Sequence, residues 1–171
     1  MIVVVMGVTG SGKTTVGQAL AESLGWLFCD ADDLHPPENV AKMAAGKPLT
    51  DVDRWPWLDR IVAALRERAN RGESAIVACS ALKASYRERL QQAGEVRFVY
   101  LRGSEATLAA RLARREHRYM PAALLPSQLA TLEEPDDALT VDIRLEVDEQ
   151  VRVIRAGLGL AVPDSLTVRD E

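Results

Sequence analysis

The octet Gly7-Val8-Thr9-Gly10-Ser11-Gly12-Lys13-Thr14 meets the pattern G-x-x-x-x-G-K-[ST] at every fixed position. Phosphate oxygens held by backbone N–H groups must come close to the chain, and glycines at 7, 10 and 12 clear that approach. A helix opening near Lys13 adds its positive end. Lys13 is then expected at the β- and γ-phosphates of a nucleoside triphosphate, and the Thr14 hydroxyl on Mg²⁺. The motif alone does not separate kinases from GTPases or other ATPases.

A second group is acidic. Asp30, Asp32 and Asp33 cluster behind a short apolar run, with His35 close after them. In doubly wound sheets ligands sit at the carboxyl ends of the strands, so Asp30 and Asp32 are expected to face the γ-phosphate. One carboxylate can hold a Mg²⁺-bound water, and the other can accept a hydrogen bond from an attacking hydroxyl or act as its base. Asp33 reads equally well as a solvated residue capping the next helix. His35 is either a substrate hydrogen-bonder or a residue fixed in a turn by Pro36-Pro37.

The elements that must position these groups alternate. Ile2–Met6 is a β-branched run suited to a strand buried on both faces. Val16, Ala19, Leu20, Ser23 and Leu24 follow at helical spacing, and Gly25 stops that helix. A second strand is expected at Trp26–Asp30, then loops around a short helix. Leu58, Ile61, Val62, Leu65 and Ala69 mark an amphipathic helix closed by Arg71-Gly72. Strands are expected at 75–79, 96–101 and 138–143, and helices at 83–91, 105–115 and from Val147 to Leu158. This order predicts an α/β fold with a five-stranded parallel sheet and helices on both faces. The chain reads as one domain over 1–171, with a lid at about 114–135 and a polar tail at about 163–171.

Composition narrows the class. The chain has 171 residues, a net charge of −4 and a pI near 5.3, which argues against a nucleic-acid binder. Cys29 and Cys79 lie in apolar runs and read as reduced core thiols, without metal-ligand spacing. Ile2–Met6 is too short for a membrane span and lacks a basic leader. No membrane partner is expected, and the cytoplasm is the simplest address.

Taken together, the phosphate loop, Asp30-Ala31-Asp32-Asp33-Leu34-His35, Lys42–Gly46 and Pro48–Leu58 resemble the gluconokinases of the small P-loop type. Cys79-Ser80-Ala81-Leu82-Lys83 with Tyr86-Arg87 agrees, as do Met120-Pro121-Ala122, Leu124-Leu125, Ser127-Gln128, Leu132-Glu133 and Pro135. The resemblance spans at least Met6 to Pro135. It implies ATP- and Mg²⁺-dependent phosphorylation of D-gluconate to 6-phosphogluconate, a P-loop kinase fold like that of shikimate and adenylate kinases, and a homodimer. The chain departs from the family pattern at Arg115-Glu116-His117-Arg118-Tyr119-Met120. Arg118 stands where the family carries a lid histidine, and His117 where it carries glycine.

A polyhydroxy carboxylate needs a cation for its carboxylate and hydrogen bonds for its hydroxyls. Arg54 is expected to open the long third-region helix, and its fork, suited to a bidentate contact, to clamp the carboxylate with Lys83 and Arg87. Asp32 is expected to meet the reacting hydroxyl, with His35 and Gln128 as further substrate contacts and Asp30 on the metal through water. Thr15 and Arg111 are grouped with the phosphate loop as nucleotide-binding. Arg111, Arg114, Arg115 and Arg118 recur at three- and four-residue spacings, so several share a helical face. Arginine on a lid neutralises transition-state charge, and the family pattern singles out Arg111 and Arg115, the latter as catalytic. Trp55 and Trp57 read as packing residues. Two competitors stand beside this reading. One is a kinase for another small acid such as shikimate. The other is a nucleotide-binding switch without transfer chemistry, against which no Asn-Lys-x-Asp run occurs.

Overall fold

In the computed structural model residues 1–114 and 122–160 are described. The β-branched run Ile2–Met6 forms β1, and all five residues are buried. Side chains alternate across a strand, so complete burial means that both faces of the sheet are covered. The remaining strands are β2 (Leu27–Asp30), β3 (Ala75–Ala78), β4 (Val96–Arg102) and β5 (Leu139–Asp142). They lie in the order β2-β3-β1-β4-β5, every neighbouring pair parallel. β1 therefore sits at the centre, with successive connections leading to either side of it.

The helices are α1 (Lys13–Leu24), α2 (Pro37–Ala44), α3 (Asp51–Asn70), α4 (Ala84–Gln91), α5 (Glu105–Arg114), α6 (Leu125–Thr131) and α7 (Val147–Gly157). Short 3₁₀ turns at Ala31–Leu34 and Ala122–Leu124 complete the described elements. α1 ends where Gly25 takes φ 65°, a left-handed cap that a glycine adopts without strain. One apolar cluster joins β1, β3 and β4 to α1, α3, α4 and α7 through residues such as Leu20, Ile61, Leu65, Leu90 and Ile154.

The strands fall where periodicity and β-branching put them. The third helix does not start where its apolar spacing begins. It opens at Asp51, before Leu58, because Thr50 and Asp53 form a reciprocal capping box that satisfies two backbone donors. Pro56 lies inside this helix. As the sixth helical residue it cannot donate to the Val52 carbonyl, and α3 continues through it without that bond. Arg54 consequently sits within the helix, one turn in, and its side chain is buried.

Trp57 ties α3 to the end of β2. It is 1% exposed, and its Nε1–H donates to the carbonyl of Ala31 at 2.7 Å. Cys79 is buried and Cys29 half-buried, and both are free thiols. The expectations for Arg115, His117, Arg118 and the tail from Pro163 lie outside the described residues.

Trp57→Phe keeps most of the ring volume but leaves the Ala31 carbonyl without its donor. Urea unfolding should show a loss of about 1–3 kcal/mol. An unchanged midpoint would mean that this bond does not hold the end of β2 to α3.

Candidate active site

β1 delivers the chain into the phosphate loop, whose glycines hold backbone conformations that side chains rarely adopt. Gly7 takes φ 148°, Gly10 φ 82° and Gly12 φ 93°. A Cβ on Gly7 would stand 2.8 Å from Ser11 Oγ and 3.0 Å from the carbonyl oxygen of Leu101. The N–H of Gly7 donates to the carbonyl of Ser80 at 3.4 Å, which ties the loop to the turn after β3. Lys13 opens α1 and donates from Nζ to the carbonyl of Val8 at 3.1 Å, so its ammonium lies back along the loop. Thr14 and Thr15 are exposed on the first turn.

Thr14 Oγ1 donates to Asp30 Oδ2 at 2.9 Å. This places the last position of the loop motif against the last residue of β2. The other oxygen, Oδ1, accepts from the N–H of Asp32 at 3.0 Å and caps the 3₁₀ turn. That turn leaves Asp32 half-buried. Its carboxyl is pushed up to about 6, chiefly because it is crowded away from bulk water; the charge of Lys13 opposes the shift, and Asp30 and Asp33 add to it. The side chain still keeps 41% exposure, so one edge remains open to an incoming group. Asp33 lines a cleft of about 400 Å³ that shares Thr14 and Asp30 with this site and includes Cys29 and Arg68.

His35 follows on the same turn, and its Nε2 lies 3.8 Å from Asp32 Oδ1. Its ring stacks on Trp57 with centroids 4.2 Å apart and planes 12° apart. Burial, assisted by the nearby Arg54 charge and opposed by Asp30, brings the imidazole down to about 4. His35 is therefore neutral near pH 7, and its contact with Asp32 is not an ion pair.

His35, Arg54 and Trp57 line one pocket with Leu49, Ser80, Ser127 and Gln128 among others. Arg54 donates from Nη1 to the Tyr86 hydroxyl at 3.2 Å and lies 5.6 Å from the centre of that ring. The Tyr86 hydroxyl in turn donates to Asp51. Gln128 closes the pocket from the lid side, where its Oε1 accepts from the Thr9 N–H at 2.7 Å. One side chain thus touches both the phosphate loop and the acidic–basic pocket.

Two residues expected in the clamp are engaged outside this pocket. Lys83 Nζ donates to both carboxylate oxygens of Asp51, at 3.0 and 3.1 Å. Arg87 is buried and donates from Nη1 to the carbonyls of Ala81 and Leu82 at 3.0 and 3.3 Å. Ala81 holds φ 45°, so Arg87 supports a strained turn beside the loop. Arg111 reaches from α5 to the carbonyls of Ser11, at 3.5 Å, and Ile143, and so flanks the loop. Arg115 lies outside the described residues.

Several participants were given no role by the sequence, although Asp51, Tyr86 and Glu133 lie within the family-like blocks. Asn39, Asp51 and Tyr86 enter only because α2, α3 and α4 converge. Glu133 is another: its Oε2 accepts from the Ala84 N–H at 2.7 Å, capping α4, while its own N–H donates to the Leu82 carbonyl at 2.8 Å. These bonds tether the chain after α6 to the turn after β3.

Comparison with known proteins agrees with the geometry. A family model described as an AAA domain matches residues 2–135. A gluconokinase of Gluconobacter oxydans is 56% identical over 137 residues, which cover 78% of this chain and 76% of that protein. A crystal structure of a gluconokinase from Sinorhizobium meliloti is 49% identical, with a TM-score of 0.81 over 92% of this chain and 90% of that one. An unliganded sugar kinase from Janibacter is 44% identical, with a TM-score of 0.88 over 94% of this chain and 95% of the other.

Gly7→Ala tests the loop. With its Cβ caught between Ser11 and a backbone oxygen at positive φ, the variant should weaken triphosphate binding by about tenfold or more in calorimetric titration. Unaltered affinity would show that the loop accepts a side chain at this position.

Proposed function

The chain belongs to the gluconokinase family, and we propose that it transfers the γ-phosphoryl group of ATP to a hydroxyl of D-gluconate, giving 6-phospho-D-gluconate and ADP. The observation that carries this reading is the position of Asp32. Its carboxyl lies within the field of Lys13 on one side and 3.8 Å from His35 of the Arg54 pocket on the other. An acceptor hydroxyl standing at Asp32 is thus within reach of both halves of the reaction.

In this mechanism the Gly7–Thr14 amides, Lys13, Thr15 and Arg111 hold the triphosphate, and Gly12 gives the backbone its close approach. Thr14 and Asp30 offer hard oxygen donors 2.9 Å apart, a set that fits Mg²⁺ contacted directly by Thr14 and through water by Asp30. Among the described residues no cluster of three His, Cys, Asp or Glu could hold a metal, and Thr14 and Asp30 are the residues that would hold the ion here. Mg²⁺ bound there supplies charge neutralisation on the phosphates.

Asp32 accepts the proton of the attacking gluconate hydroxyl as the oxygen bonds to the γ-phosphorus and the bridging oxygen leaves with ADP. At neutral pH its carboxyl is ionised yet basic enough to take a shared proton. Arg54 faces the gluconate carboxylate, while His35 and Gln128 hydrogen-bond its hydroxyls. Lys83 and Arg87 act at the edge of the clamp, Lys83 by exchanging Asp51 for substrate and Arg87 by fixing the Ala81 turn. Arg115 is proposed to bring positive charge to the γ-phosphate on closure of a lid over 114–135, which also excludes water.

The proposal takes residues 1–171 as one kinase domain. It also takes the protein to be a cytoplasmic homodimer that engages neither nucleic acid nor membrane. Family analogy and the net charge of −4 support this. No helix among the described residues is long and apolar enough to cross a membrane.

A coupled ADP-release assay over a panel of sugar acids tests the substrate. Gluconate should be the best acceptor, and rapid turnover of shikimate without turnover of gluconate would overturn the reading. Asp32→Asn should lose at least about a hundredfold in kcat, the usual contribution of a positioned base. In the wild type kcat/KM should fall as pH drops through about 6, because the raised pKa of Asp32 converts the required carboxylate to the acid there. A profile flat to pH 5 would remove Asp32 from the role of base.

Arg54→Ala should raise KM for gluconate by about a hundredfold with little change in KM for ATP, since a charged hydrogen-bond pair is lost. An unchanged gluconate KM would refute the clamp.

A further inference from the structure

The stack of His35 on Trp57 fixes the plane of the imidazole but leaves open which of its nitrogens carries the proton. The neighbours decide it. Asn39, on the first turns of α2, is 4% exposed. Its Nδ2 lies 2.9 Å from the Asp53 carbonyl oxygen and 3.3 Å from His35 Nδ1. A carbonyl oxygen can only accept, so the face of the amide turned toward Asp53 must be the NH₂ face. The same nitrogen has a second hydrogen, and His35 Nδ1 is its available acceptor. The ring is neutral, so Nδ1 as acceptor requires the proton on Nε2. Nε2 is the nitrogen on the Asp32 side.

We propose that Asn39 is a positioning residue for phosphoryl transfer: by donating to Nδ1 it holds His35 as the Nε2–H tautomer and so presents a hydrogen-bond donor beside Asp32. The proposal rests on the reading of the pocket as the gluconate site. Its consequence is a division of labour at the acceptor. The Nε2–H donates to an acceptor oxygen of the substrate, while the neighbouring Asp32 carboxylate is left to accept the proton of the reacting hydroxyl. With the opposite tautomer two acceptors would face one hydroxyl, and its oxygen would have no donor to orient it.

The anchoring of Asn39 is itself built from the network beneath it. The Asp53 carbonyl that holds the amide belongs to the residue whose side chain closes the capping box and accepts from Lys42 Nζ at 2.6 Å. The Lys42 contact and the two donors of Thr50 bring the Asp53 carboxyl down to about 2, so this support does not titrate near neutrality. The charged and titratable groups that bear on His35 are Asp30 and Asp32 from the end of β2 and its turn, and Arg54 from α3.

The test uses the full chain, labelled with ¹⁵N at histidine. The His35 resonances are identified by their loss in His35→Gln. Near pH 7 the wild type should show the Nε2–H pattern, and gluconate should shift the Nε2 signal. An Nδ1–H pattern, or no shift with gluconate at a concentration that saturates turnover, would overturn the proposal even if no Asn39 variant folds. Asn39→Asp places acceptors where both donors stood. It should convert the ring to the Nδ1–H or doubly protonated form and raise KM for gluconate about tenfold, with KM for ATP within about twofold of wild type. An unchanged gluconate KM in a folded Asn39→Asp would also overturn it. A wild type that binds and turns over no gluconate would instead fail the substrate reading, and the tautomer pattern, read independently of activity, would then decide whether Asn39 sets the proton on His35.

Discussion

The site depends on the lateral register of three parallel strands. Val5 pairs with Ala78, and Ala78 pairs with Asp30. The residue before the end of β1 and the acid at the end of β2 are therefore level, two strands apart, which is roughly 10 Å at the usual strand spacing. The phosphate loop and Thr14 cross that gap, and Thr14 meets Asp30 at its far side. A slip of one residue in β2 would turn Asp30 to the opposite face of the sheet. The short edge strand is fixed against such a slip by the bond from Trp57 to Ala31 just beyond it. Binding the phosphate and placing the acid are thus two outcomes of one ladder of backbone hydrogen bonds.

Charge in the pocket is arranged by handing it outward. Arg54 is buried, and its contact is the neutral hydroxyl of Tyr86; only the next link, Asp51, is anionic, and it sits exposed beside Lys83. The guanidinium is held in place without a carboxylate directly upon it, so it keeps its attraction for an anionic ligand. His35 is neutral and stacked, so it adds shape and one polar contact without a second positive charge that would compete with Arg54.

The strand pattern and the phosphate loop were legible in the sequence because their signals are local: β-branched runs, helical spacing and glycines at fixed offsets. Asp30 and Asp32 were legible because a short strand must end somewhere, and parallel strands end together. The sequence places the start of α3 about one turn late, at Arg54, because apolar periodicity begins at Leu58 while the cap at Thr50 and Asp53 is polar. Asn39 carried no signal, and Tyr86 only its place in a family-like block; an amide and a phenol become site residues only when α2, α3 and α4 meet. Lys83 and Arg87 show the opposite difficulty. Their place after β3 drew attention to the crevice, yet the carboxylate of Asp51 and the carbonyls of the Ala81 turn, neither of which spacing reveals, are what they hold.

The connection from β2 to β3 carries His35, Asn39, Met43, Leu49, Arg54 and Trp57, so one uninterrupted stretch of chain builds most of the wall around the acceptor. In the proposed reaction the nucleotide falls to other segments, the loop after β1 and the face of α5, where Lys13 and Arg111 contact the loop carbonyls. The two halves of the reaction are written on separable stretches of sequence. Insertion, deletion or recombination within that single connection can remodel which acid is accepted while the phosphate machinery passes unchanged from one descendant to the next.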